Sequence, residues 1–434
     1  MTDSTFSRRN LIKTSAAIGA LSATGLMLKD RSAKAQDSDV TLTFVVSATA
    51  DSPQMALVEE LFRQFESQHP GVKIENQVIP YDSFMPTLTT RVVGGQAPDC
   101  AWLLDRFATA MIGQKALLPL DDLLPAGYGD SFIPTQWNYA VADGQAYAIP
   151  MFTNVQTMLY NVDHFATAGI TVPPTPAEAW LFPEVVEKAT QLKEATGADY
   201  GLIHWPNSTP SRLSQYLVAA GGSVLTEDLS GPNLEDPIAI ELLTQIQQTF
   251  ESGLAPKDNW TDPDAMMDIF TSGNASMFLG SGNFQILEVN ETVGDAFDWG
   301  FAYMPTTLGT PNELVIFNQT EHADVAAELI QFLASPEIMA TICSTINVVP
   351  TRNDLSADSI EYAVRPDLMD MLQEQSTVAS ARIQNEMKLA AWSEIDLMLR
   401  DKLEQLALGS LSPEEVASQG SDEIVQLLAR YAAS

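Results

Sequence analysis

From Val40 the chain sets a rhythm that few architectures accept. "VTLTFVVSATA" is a β-branched, largely apolar run that reads as a buried strand. Asp51-Ser52-Pro53 then supplies a cap and a proline for the first turn, and Leu57, Val58, Leu61, Phe62 and Phe65 recur at helical spacing until His69-Pro70-Gly71 ends the helix. "VKIENQVI" gives a second strand, a helix runs from about Ser83 to Val93, Gly94-Gly95 stops it, and "DCAWLL" gives a third strand. A β-α-β-α-β order requires parallel strands with helical crossovers, and places the ligand edge at the carboxyl ends of the strands.

The second third of the chain changes rhythm. "GQAYAIPMFTNVQTMLYN" is one long extended segment with Pro150 inside it, followed by a Pro-rich loop from Val172 to Pro176 and a helix around Phe182 to Lys193. "YGLIHW", "ASMFLG", "GFAYMP" and "ELVIF" are further strands, helices are expected near Ile238 to Ser252 and Asp324 to Leu333, and after Asn353 the pattern is almost all helical. A chain that builds one α/β unit, crosses over, builds another and returns predicts an α/β protein of two lobes. Each lobe is a mainly parallel sheet flanked by helices, the connectivity is interleaved, and the connecting strands form a hinge with a ligand cleft between the lobes.

The N-terminus reads as an export signal. Arg8-Arg9 and Lys13 precede a mild apolar run from Ala16 to Leu28, and Ala33-Lys34-Ala35 places small residues where a peptidase would cut, so residues 1–35 are expected to be a twin-arginine signal peptide. No cysteine ends the apolar run, so a lipid anchor is not expected. The formal net charge is −34, and removing residues 1–35 takes Lys+Arg from 22 to 16 and Asp+Glu from 56 to 54, a charge of −38. A balance this negative argues against nucleic acid and anionic membrane surfaces as partners. Cys100 and Cys343 are the two cysteines; they cannot build a disulfide framework, and one bridge between them is the single link available.

Catalytic and metal chemistry find little support. His69, His164, His204 and His322 show no i,i+3 or i,i+4 pairing, there is no C-x-x-C, and no G-x-S-x-G elbow occurs, so neither cofactor nor metal is expected. "GSGNF" from Gly280 lacks the third glycine of a dinucleotide loop and the lysine of a P-loop, and reads as a tight turn at the cleft edge. What remains is an excess of aromatic and amide residues near strand ends and loops: Tyr81, Trp102, Trp137, Asn154, Trp180, Trp205, Asn207, Asn283 and Phe284. Aromatic faces stack on the C–H faces of sugars, and amides supply the directional hydrogen bonds that hydroxyls need.

Nine segments in order, among them "LFRQFESQHPGVKIENQVIPY", "TTRVVGGQAPDCAWL", "GQAYAIPMFTNVQTMLYNVDHFATAGI", "FTSGNASMFLGSGNF" and "NVVPTRND", resemble the extracellular solute-binding proteins of ABC importers, the family that includes the maltose-binding protein. The resemblance implies two lobes that close on a ligand, with "PMFTNVQTMLYN" as the first crossing strand and "LVIFN" as the return. It puts the N-lobe at 37–152 plus 317–355 and the C-lobe at 153–316 plus 356–434. The ligand positions it implies are Ser47, Thr49 and Asp51 in the loop after the first strand, Tyr81, Asp99, Trp102, Asn154 and Asn283. Phe284 stands where many relatives carry Trp, and Trp392 lies on a helix that provides a stacking aromatic in the maltose binder. Trp205 joins them as an aromatic at a strand end.

The expected function is a monomeric periplasmic receptor without catalytic activity, binding a mono- or oligosaccharide or polyol and passing it to an ABC permease. Two other readings compete. A glycerol-phosphate-type receptor would need a cationic pocket, for which Arg106, Arg212, Arg352 and Arg382 are available. A secreted carbohydrate-active enzyme would need two carboxylates facing each other across the cleft.

Overall fold

The computed structural model describes residues 40–47, 53–204 and 209–432. Strand β1 (Val40–Ser47) alternates as the sequence predicts, turning Leu42, Phe44 and Val46 to one face of a sheet and Val45 to the other. Helix α1 (Pro53–Gln68) covers the first face: Met55, Val58, Phe62 and Phe65 are buried at helical spacing, and the Phe62 ring meets Phe44 edge-on at 4.9 Å. Burying side chains of this size stabilises the fold by about 1.5–3 kcal/mol each. β2 (Val72–Ile79), α2 (Tyr81–Val93), β3 (Cys100–Leu104) and α3 (Asp105–Gly113) follow. Phe84 and Leu88 of α2 and Ala108 and Met111 of α3 close the opposite face over Val45, Ala101 and Leu103.

β4 (Ala148–Asn154) and β5 (Gln156–Asn161) are one extended segment broken at a single residue, Val155. β4 belongs to a six-stranded sheet and β5 to a separate four-stranded one. The second sheet is completed, after α4 (Phe182–Thr196), by β6 (Tyr200–Ile203), and, after α5 (Thr209–Ala219) and α6 (Pro237–Glu251), by β7 (Ala275–Gly282) and β8 (Trp299–Ala302). The chain then returns as β9 (Thr310–Ile316), inserted between β3 and β4. α7 (Ala323–Leu333) and α8 (Pro336–Ile346) pack with α1, and the two-residue β10 (Val349–Pro350) closes the larger sheet beyond β4. α9 (Met369–Ser376), α10 (Ala381–Met387), α11 (Trp392–Ala407) and α12 (Pro413–Ala432) finish the chain, and α11 and α12 pack in the core of the smaller sheet.

The two-lobed α/β architecture matches expectation, with two refinements. The sheets are mixed: β1, β2, β3 and β4 run toward the crossing at Val155, whereas β9 runs away from it because it arrives from the other lobe. In the smaller sheet β5 leaves the crossing, while β6, β7 and β8 run toward it. The second refinement moves the return. Residues 303–309 make the second crossing, and the "LVIF" of 314–317 lies inside the larger lobe, so 310–316, expected in the C-lobe, pair with β3 and β4. Residues 153 and 154 likewise stay on the larger sheet, opposite Pro311 and Thr310. Both segments are strands as expected, but their near-continuous burial carries no trace of which strands they pair with. Cys100 and Cys343 are both buried free thiols. Among the described residues no single helix is long and apolar enough to cross a membrane.

Candidate functional site

Strand directions single out one edge of each sheet. β1, β3 and β4 end at Ser47, Leu104 and Asn154, β6 and β7 end at Ile203 and Gly282, and all of these flank the crossing.

The crossing itself is tightly bonded. Val155 is fully buried, its N–H donates to Asn283 Oδ1 at 2.7 Å, and Asn283 Nδ2 donates back to the carbonyl of Thr153 at 3.3 Å. The N–H of Gln156 donates to Thr307 Oγ1 at 3.0 Å, and that hydroxyl donates to Gln156 Oε1 at 3.2 Å, so the two crossings are joined to each other. Gly282 permits the close approach: a Cβ there would lie 2.0 Å from the Val155 carbonyl oxygen. Sequence reading took "GSGNF" for a turn. Instead β7 continues through Gly282, and the glycine serves backbone contact with the crossing.

The expected ligand residues divide accordingly. Ser47 and Asn154 stand at strand ends beside the crossing, and the Asn154 amide makes no hydrogen bond among the described residues. Phe284 follows Asn283 and is 39% exposed. Thr49, Asp51 and Trp205 lie outside the described residues, as does the side chain of Tyr81, whose backbone opens α2 beside the C-terminal end of β2.

The structure turns the remaining four inward. Asp99 precedes β3, at the end of the sheet away from the crossing, and its carboxylate accepts from Thr43 N–H at 2.7 Å, Thr43 Oγ1 at 2.9 Å and Thr320 Oγ1 at 2.6 Å. It joins β1, β3 and the turn after β9, and three of its roughly four lone-pair sites are spent on the fold. Trp102 is buried with Phe44 and Val46; its indole N–H donates to Asn312 Oδ1 at 3.0 Å and its ring meets Phe152 edge-on. Asn283 spends both ends of its amide on the crossing. Trp392 is 5% exposed and packs with Ile395 and Leu399, its indole N–H without a partner.

The end of β6 is built from groups that the sequence offered only for metal or phosphate binding, His204 and Arg212, together with aromatic neighbours. His204 is buried between Phe182, Phe250 and Trp260; its N–H donates to Asn259 Oδ1 at 3.0 Å, Asn259 Nδ2 donates to the His204 carbonyl at 2.8 Å, and its ring is bonded to Thr249 Oγ1. Burial without a counter-charge lowers its pKa to about 3, so it is neutral. Beside it, burial lowers Arg212 to about 9, partly offset by Tyr216 and Asp396. His204, Arg212, Tyr216 and Trp260 line a cavity of about 20 Å³, room for a single water. Elsewhere Arg352 makes a two-pronged ion pair with Asp354, and Arg382 donates to the carbonyls of Leu225, Thr226 and Glu227. Trp137 stacks on Phe132 in a groove along the larger lobe, and Trp180 on Phe165 in the smaller one.

Comparison with known proteins agrees with this geometry. Residues 49–340 match the family described as bacterial extracellular solute-binding protein. A relative from Brucella abortus is 22% identical over 402 residues, covering 90% of this chain and 94% of the relative. The GacH receptor of Streptomyces glaucescens, solved unliganded and with acarbose, shares the fold at a TM-score of 0.72 and 22% identity, over 91% of this chain and 99% of that one. The sugar-binding protein MalE of Xanthomonas citri does so at 0.74 and 19% identity, over 91% and 98%.

Proposed function

Because the chain belongs to the bacterial extracellular solute-binding proteins, we propose that it is the periplasmic substrate-binding component of an ABC transporter, holding a sugar or polyol between its lobes and delivering it to the permease. The observation that carries this reading is the pair of bonded crossings at Val155 and Thr307, with strands of both sheets running toward them. Two rigid lobes joined there can close on a ligand, and a ligand that contacts both shifts the population toward the closed form that a permease senses.

We propose ligand contact for Ser47, Thr49, Asp51, Tyr81, Asn154, Trp205 and Phe284, each of which ends or follows in sequence a strand that runs toward the crossing. Carbohydrate is favoured because GacH was solved with acarbose and the Xanthomonas MalE is a sugar-binding protein. The phosphate alternative loses support from three of its four arginines, since Arg352 and Arg382 are engaged within the fold and Arg212 is enclosed beside Tyr216, and it rests on Arg106 in the first turn of α3. The protein works as a monomer, without catalysis or cofactor, after twin-arginine export and removal of residues 1–35.

A thermal-shift panel of sugars, polyols, sugar phosphates and amines tests this. A ligand at a hundred times its Kd adds about 2.7 kcal/mol to stability, and the best stabiliser is expected to be a neutral sugar or polyol recovered unchanged. An anion or amine as best stabiliser would reject the carbohydrate assignment, and turnover of the sugar would reject the assignment as a receptor.

A further inference from the structure

We propose that helix α10 is a strap that limits how far the two lobes open, with Gln384 and Lys388 as positioning residues. The inference rests on the reading that the lobes move about the crossings. α10 has two turns, and four polar side chains on it and its C-cap, Lys388, form two i,i+4 pairs on opposite faces. Arg382 and Glu386 grip the smaller lobe. The guanidinium of Arg382 donates to the carbonyls of Leu225, Thr226 and Glu227, and Glu386 accepts from the N–H of Leu225 at 3.1 Å and from Ser214 on α5 at 3.4 Å. The two also pair with each other at 3.3 Å.

Gln384 and Lys388, about 200° around the helix, grip the larger lobe. Gln384 Nε2 donates to the Thr135 carbonyl at 2.9 Å, and its Oε1 accepts from Asn138 Nδ2 at 3.0 Å. Lys388 Nζ donates to the carbonyls of Asn138 at 2.5 Å and Val141 at 3.3 Å, and stands over the Tyr139 ring. Tyr139 in turn donates to the Leu308 carbonyl at 3.1 Å, in the second crossing. Gln384 and Glu386 are both fully buried, so a lobe rotation that pulled either away would strand a polar group without water.

Two anchors joined through one helix act in series, and that gives a signature a merely structural role lacks. Severing either anchor should free the same motion, and severing both should free no more. The test uses the ligand-free chain and small-angle scattering with hydrogen exchange. Gln384→Ala with Lys388→Met cuts the larger-lobe anchor, Arg382→Ala with Glu386→Ala cuts the other, and Lys388→Met alone removes the two carbonyl bonds of the first should the double variant fail to fold. Each is expected to raise the radius of gyration by roughly 1 Å on about 21 Å for a compact chain of this size. Amides of residues 155 and 156 should exchange about tenfold faster, and combining both cuts should give the same values as either alone. An unchanged radius and unchanged exchange in the folded variants would overturn the strap, as would additive effects. Because no ligand is present, a failed carbohydrate assignment leaves this result intact, and a wild-type chain that still compacts on binding sugar would keep that assignment if the strap fails.

Discussion

Asn283, at the end of one sheet, holds the backbone of Val155, the one residue between that sheet and the other: its side-chain oxygen takes the Val155 N–H at 2.7 Å. A residue expected to touch ligand instead joins the two halves of the molecule.

Replacing Asn283 by Ala leaves the buried Val155 N–H without an acceptor and the Thr153 carbonyl without its donor. A loss of about 1–3 kcal/mol is expected for a stranded buried group of this kind. Asn283→Asp restores the acceptor alone and should fall between the two. Urea unfolding of the three proteins measures the order.

Gly282→Ala should be more damaging than its chemistry suggests. The added methyl would overlap the Val155 carbonyl at 2.0 Å, and that contact is backbone, which cannot rotate aside. Overpacking of this sort destabilises by about 1–3 kcal/mol or more. A variant that unfolds at the wild-type urea midpoint would mean that the crossing shifts freely.

Acidification should weaken the fold through His204. In the unfolded chain its pKa is 6.5, and in the fold about 3. Between those values the unfolded state holds the extra proton, so stability is retained above pH 6.5 and lost as pH falls toward 3. From pH 7 to pH 5 the loss from this group is about 2 kcal/mol. His204→Gln should flatten that part of the profile, and urea midpoints across pH 5–7 for both proteins give the comparison.

Export should depend on the adjacent arginines. Changing Arg8 and Arg9 to Lys is expected to leave precursor in the cytoplasm, read by fractionation and immunoblot. Normal export of that variant would reject the twin-arginine assignment.

The first lobe was legible because its signals are local. "VKIENQVI" is β2 residue for residue, and the helix expected from Ser83 begins at Tyr81. The site was less legible because it depends on which side of a strand or helix becomes interior. Trp102 shows this: its period-2 partner Cys100 faces the same core, a pattern present in "DCAWLL" that marks the ring as buried. Trp392 stands at helical spacing from Ile395 and Leu399, again a core pattern. Asn283 and Thr307 gave no such signal, since their partners Val155 and Gln156 lie more than a hundred residues away.

The position of β9 has a consequence for the order of assembly. It lies between β3 and β4, yet it is made some 160 residues after β4 begins. Until residues 310–316 emerge from the ribosome, the larger sheet has a gap at its middle, with the edges of β3 and β4 unpaired. The lobe whose first strand is synthesised earliest is therefore the one that cannot be completed until the smaller sheet has been made. Vectorial, strand-by-strand folding is closed to it, and assembly must wait for a late segment to fill an early gap.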